Sequence, residues 1–182
     1  MPTSSQTFAT SRFRLSDLAV YGVQGNPLFL EQLLHCFRDL AIIRDAESGA
    51  YVDLKKLETF AVPDSLSALF LTRFAAVPLY RKRKVLEAAA VAGQVFWDSA
   101  VFAAIQSELE ISAIDLAEIL TQLEEKEMIL RRHSSLMVGS LEYQFFHDML
   151  WQVVYQEVTR PVRKLYHGRI AAWMVERSKA QA

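Results

Sequence analysis

"SAIDLAEILTQLEEKEMILRRHSSLMVGSLEYQFF", residues 112–146, is the stretch whose reading decides the fold. Its first half is helical. Ser112 opens it, and Asp115 stands three residues on. That spacing resembles a capping box, in which each side chain satisfies the other's free backbone N–H. Its second half, "MILRRHSSLMVGSLEYQFF", reads as strand, turn and strand, with the tip around Ser134 to Ser140.

Working upstream, "WDSAVFAAIQSEL" is a helix with Asp98 as its expected cap. "LYRKRKVLEAAAVAG" is a helix ending at Gly93, a suitable glycine for a left-handed helix end. Three helices followed by a β-hairpin is the winged-helix order. Downstream come two more helices, one from Asp148 to about Thr159 and one from Pro161 to about Lys179.

The amino-terminal part has a different texture. "GNPLFLEQLLHCFRD" offers Asn26 as an N-cap and Pro27 at the first helical position, where its missing N–H costs nothing. Leu30, Leu33, Leu34 and Phe37 form the expected apolar face. "IIR" and "YVDL" flank a turn at Gly49 and can pair as a small hairpin. "VPDSLSALFLTRFAAVP" is a second helix, preceded by Pro63, capped by Asp64 and followed by Pro78. A short helix, "SDLAVYGV", is expected from Ser16. The expected fold class is therefore mainly α. A small helical lid bundle (16–78) precedes a winged-helix domain with one β-hairpin (79–160) and a C-terminal helix (161–182). Residues 1–15 read as a disordered tail, or as a segment cut from something upstream.

Composition excludes several functions. A net charge of −1 gives no overall attraction for nucleic acid or anionic lipid. The single cysteine, Cys36, forbids an internal disulfide framework and fits a reducing, cytoplasmic location. No apolar run approaches the roughly 20 residues needed to span a bilayer. The glycines never precede a lysine, so there is no phosphate-binding P-loop. "LAIIRDAE" faintly resembles an apolar strand ending in magnesium-holding acids, but a helix end running into a turn accounts for it. His35 and Cys36 are adjacent on a helix and point to different faces, and His133, His147 and His167 have no cysteine partners, so no metal site is expected. No nucleophile elbow occurs, so no catalytic residue is assigned.

"RKRK" at Arg81 to Lys84 reads first as a solvated face. Direct DNA reading is opposed by the helix that would enter the groove. It carries Asp115, Glu118, Glu124, Glu125 and Glu127 against Lys126, so phosphate would be repelled. Arg131 and Arg132 in the hairpin would work against that helix.

Two motifs remain: "GNPLFL" from Gly25 and "FFHDML" from Phe145. Each has a plain reading, as a well-formed helix start with His147 merely preceding the cap residue Asp148. Their order alongside "VPDSLSALFLTRF", "RKVLEAAAVAGQVF", "LTQLEEKEMILRR", "YQFFHDMLWQVVY" and "LYHGRIAAWM" adds a further reading. From about Ser16 onward the chain resembles the carboxy-terminal half of the STAND class of P-loop ATPases. The likeness is closest to bacterial AAA-type ATPase regions that accompany adenylate/guanylate cyclase domains, LuxR-type regulators or tetratricopeptide arrays.

The resemblance implies a helical lid and a winged helix that together clamp ADP and relay nucleotide state to other domains. It implies that Gly25, Asn26 and Pro27 wall the adenine, with Pro27 against the ring, and that His147 faces the β-phosphate. The physical chemistry is compatible: a histidine at a helix N-terminus shares the positive end of the dipole and can donate an N–H to an anion. The departure from the class is large, since the P-loop, the magnesium-binding acids and the first sensor are absent. ADP or ATP binding, and ATPase activity in the parent, are thus expected only with an upstream nucleotide-binding domain, and this chain alone is expected not to be an enzyme. Val162, Leu165, Tyr166, Ile170 and Trp173 give the last helix an apolar face, which either docks onto the winged helix or starts a stack with a downstream helical-repeat partner. The alternative is a nucleotide-free interaction scaffold or a DNA-binding winged helix.

Overall fold

The structure is a computed structural model that describes residues 26–46, 49–78 and 80–180. Gly25 and the helix expected from Ser16 lie outside the described residues. Among the described residues the chain is mainly helical, with two small antiparallel sheets. Among the described residues no helix is long and apolar enough to cross a membrane. Two compact units form, Met1–Thr72 and Arg73–Ala182.

The first unit starts with helix α1 (Pro27–Asp39). Asn26 caps it, its side-chain oxygen accepting from the N–H groups of Leu28 (3.1 Å) and Phe29 (3.4 Å). The buried face is Phe29, Leu33, Cys36 and Phe37, joined by Ile42 and Leu69. This differs from the expected face: Leu34 is exposed and Leu30 only half-buried. The core lies one position further round the helix because Phe29 and Cys36, rather than Leu30 and Leu34, share a face with Leu33 and Phe37. Phe60 meets Phe37 edge-on, with ring centroids 5.3 Å apart.

Strands β1 (Ile43–Ala46) and β2 (Gly49–Val52) pair antiparallel, Ile43 with Val52 and Ala46 with Gly49. The hairpin is the expected one, and Gly49 takes the positive φ (+120°) that a side chain resists. The expected strand "YVDL" stops at Val52, because Asp53 caps a short helix α2 (Leu54–Thr59) by accepting from Lys56 N at 3.2 Å. Lys56 in turn donates from Nζ to the Leu40 carbonyl at the end of α1, 3.0 Å away. Helix α3 (Leu66–Ala75) follows. Its N-terminal bond comes from Ser65, whose hydroxyl accepts from Ala68 N at 3.2 Å, rather than from the expected Asp64. The division between the units falls inside α3.

The second unit runs α4 (Tyr80–Ala92), β3 (Val95–Trp97), α5 (Asp98–Leu109), α6 (Ala113–Glu125), β4 (Ile129–Arg131), β5 (Glu142–Phe145), α7 (Asp148–Glu157) and α8 (Arg160–Ala180). Gly93 ends α4 at φ +144°, as its position suggests. The capping box at Ser112 is complete: Ser112 N donates to Asp115 (2.8 Å) and Asp115 N to the Ser112 hydroxyl (3.1 Å). Asp98 is not the cap of α5. Trp97 occupies that position without a side-chain bond, and Asp98 is the first helical residue, accepting from Leu141 N at 3.0 Å.

The sheet has three strands in the order β3-β5-β4, all antiparallel, where only the β4–β5 hairpin was expected. β3 is three residues long and carries Phe96 into the core, against Tyr143 and Phe145 with centroids 5.8 Å away in each case. Helix α8 lies on α5 and α4 rather than standing apart. Tyr166 is fully buried there and donates to Glu108 at 3.1 Å, while Arg169 donates to the Ala104 carbonyl at 2.6 Å. Burial and the Glu108 carboxylate both push the Tyr166 hydroxyl above its usual pKa, so it stays protonated as a donor. Of the expected apolar face, Tyr166 and Ile170 are buried and Leu165 is exposed.

Candidate functional site at the end of the hairpin

His147 sits where β5 becomes α7, and the chain is fixed on both sides at that point. Phe145 N donates to the Gln94 carbonyl (3.0 Å) and Phe146 N to the Met128 carbonyl (3.1 Å). His147 then adopts an extended backbone at the N-cap of α7 (φ −132°, ψ 138°), and its carbonyl accepts the first helical bond from Trp151 N at 3.2 Å. Its side chain makes no cap bond. The imidazole is half-buried and meets the Phe146 ring edge-on at 5.0 Å.

Asp148, expected as the cap, is instead the first helical residue, where its carboxylate complements the positive end of the helix while the His147 backbone takes the cap position. The side-chain amide of Gln94 donates to it. One turn on, the Trp151 indole donates to the Ala90 carbonyl at 2.9 Å, tying α7 to the end of α4. Sequence reading identified His147 and Asp148 but missed Gln94. The available signal was "GQVF", a glycine stop followed by a short β-prone run, which places Gln94 at the edge of a strand.

Asn26 and Pro27 lie in the first unit, adjacent and exposed at the start of α1. Pro27 presents a ring without an N–H at the opening of that helix. Gly25 lies outside the described residues. The basic run is partly used within the fold: Arg83 lies over the Phe74 ring at 4.7 Å, and Lys84 pairs with Glu87 at 2.8 Å.

The hairpin tip is held by Glu142, which is buried at the start of β5. It accepts from Leu136 N (3.0 Å), the Trp97 indole (3.0 Å) and Arg132 (2.6 Å). The Leu136 N–H, then the indole and the Arg132 charge, hold its carboxyl below the ordinary value of 4.5, against the opposing effect of burial. A depressed carboxyl stabilises the fold fully above its unfolded value, and that stabilisation is lost as pH falls through the folded value. Thermal melts are therefore expected to fall in Tm below about pH 4.5, and Glu142→Gln is expected to flatten that acid-side slope while lowering Tm at pH 7. An unchanged slope in the variant would place the acid sensitivity elsewhere.

No family model, no curated protein and no solved structure matches the chain.

Proposed function

We propose that this chain is the regulatory lid and winged-helix portion of a STAND-type ATP-binding signalling protein. It would clamp ADP together with a P-loop nucleotide-binding domain and relay the nucleotide state to other domains. Support comes first from the second unit: α4, α5 and α6 with the β3-β5-β4 sheet have the element order of a winged helix. The observation that carries the reading is the place of His147, at the N-cap of α7. An imidazole there adds a donor to the positive end of a helix, where a diphosphate oxygen is favoured. Asp148 at the next position opposes an anion. The imidazole must therefore supply a charge-assisted bond for the site to favour phosphate, and the bond between Asp148 and Gln94 gives the carboxylate a neutral partner. Gly25, Asn26 and Pro27 supply the adenine wall in this reading, with Pro27 as the flat, donor-free surface.

The test is ADP affinity of the chain together with its P-loop domain, whether that domain belongs to the same polypeptide or a separate one. His147→Ala is expected to weaken ADP about 10- to 100-fold, the worth of a hydrogen bond to a charged group. His147→Gln, which keeps an N–H donor, is expected to recover part of it. Equal affinity in wild type and His147→Ala would remove the latch.

A second reading, a nucleotide-free interaction scaffold, is favoured by apolar side chains left in solvent at Ile114, Leu136 and Val138. A downstream helical-repeat partner would meet Leu165, Met174 and Val175 of α8, which are also exposed. Salt-dependent binding of duplex DNA by the chain would favour the DNA-binding version of that alternative, against the acidic character of α6.

A further inference from the structure

The helix that a DNA-reading winged helix would place in the groove carries a different kind of surface here. A groove of ≈ 220 Å³ runs between α5, α6 and the hairpin, floored by Phe102, Leu116, Leu120, Leu141 and Tyr143. It shares Ala113 and Ala117 with a shallow depression on the outer face of α6, lined also by Ile114, Glu118 and Glu125. Ile114 is 72% exposed, at one end of this surface. At the hairpin end, next to the groove-lining Gly139 and Leu141, Leu136 is 88% and Val138 81% exposed.

The charged side chains lining the groove and the depression are Asp98, Glu118 and Glu125, and no lysine or arginine is among them. Asp98 is spent on the N–H groups of Ser99 and Leu141. Glu118 and Glu125 are two turns apart on α6, a spacing that keeps them on one side of the helix. Of the cations at the hairpin end, Arg177 donates to the Val138 carbonyl and Arg132 pairs with Glu142, while Arg131 lies on β4 opposite Tyr143.

We propose that this face docks a basic amphipathic helix of a partner protein. Apolar side chains of the partner enter the groove and cover Ile114, and its lysines or arginines lie over Glu118 and Glu125. The choice of occupant follows from charge. Phosphate is repelled by the two glutamates, and a second copy of α6 would bring like charges together. A cationic helix gains attraction along the acidic border and buries the apolar strip in the same act. The inference does not depend on nucleotide binding.

The probe is a fluorescent leucine–lysine amphipathic peptide of about 18 residues, long enough to hold a helix on contact. It is titrated into the full chain with backbone amide NMR as the map. The expected result is saturable binding that weakens with salt, with shifts centred on Ile114, Ala117, Glu118 and the hairpin residues Leu136 to Leu141. The surface pair Glu118→Lys and Glu125→Lys is expected to weaken it at least about tenfold, and Ile114→Ser several-fold, at unchanged Tm. The same peptide with glutamate for lysine is expected to bind only the charge-reversed chain. Shifts centred elsewhere, or affinity indifferent to Glu118 and Glu125, would overturn the proposal. So would a duplex DNA oligonucleotide competing for these amides, or dimerisation of the chain through them.

Discussion

Phe96→Ala is expected to destabilise the second unit by about 3–5 kcal/mol, the range for removing a fully buried phenylalanine. Phe96 is inaccessible to solvent and is clamped on one side by Tyr143 and on another by Phe145. Little can move in to fill its place, because both neighbours are held in register by sheet bonds, Phe96 opposite Tyr143 and Ile129 opposite Phe145. All three tryptophans, Trp97, Trp151 and Trp173, belong to this unit, so a urea titration followed by their fluorescence reads it alone. The midpoint is expected to fall sharply. Phe96→Leu, which keeps most of the volume, is expected to lose much less. A second readout bears on the candidate site. The amides of Phe145 and Phe146, which bond to Gln94 and Met128, are expected to exchange faster in Phe96→Ala, and with them the anchoring of His147 loosens. A loss under about 1 kcal/mol would mean that the strand is not the element that fixes the hairpin.

That strand also shows where sequence reading stops. Helices α1, α4 and α6 and the first hairpin were legible because each carries a local signal: Asn26 with Pro27, Gly93, Ser112 with Asp115, and Gly49. β3 is three residues long, too short to display alternation, and exists because Phe96 and Trp97 find partners on β5, more than 40 residues away. Long-range pairing of this kind leaves no periodic trace. The caps at Asp64 and Asp98 were misplaced for a related reason. Several side chains at a helix start can accept a backbone N–H, and the tertiary neighbours decide which does so. Ser65 took the role at α3, and Asp98 was drawn to Leu141 of the hairpin. At the candidate site, His147 was legible as a residue preceding a helix, but its support was not. Gln94 contacts Asp148 across 54 residues, and "GQVF" signals a strand edge there but not the partner.

The last case is a charge that sequence pattern would leave in solvent. Arg73 lies on α3 amid "FLTRFAAV", yet its side chain is fully buried. Its guanidinium donates to the Lys126 carbonyl at 2.6 Å, at the C-cap of α6. A cation suits that position, because a helix C-terminus carries unpaired carbonyls and the negative end of the dipole. Burial makes the arrangement expensive to disturb. Arg73→Ala is expected to cost about 3–5 kcal/mol, combining a cavity with a carbonyl that loses its donor. Arg73→Met separates the two contributions. It restores most of the volume without the charge, so its stability relative to Arg73→Ala reads packing, and its shortfall from wild type reads the polar contacts. Charged groups taken out of water can cost nearly as much as their partners return, so the methionine variant is expected to recover well over half of the loss. The measurement is again tryptophan fluorescence in urea. If Arg73→Ala and Arg73→Met are equally unstable, the guanidinium bonds dominate and Arg73 is held to α6 by charge. If Arg73→Met matches wild type, that position is held by packing. Either outcome states what secures Arg73, the first residue of the unit that carries His147.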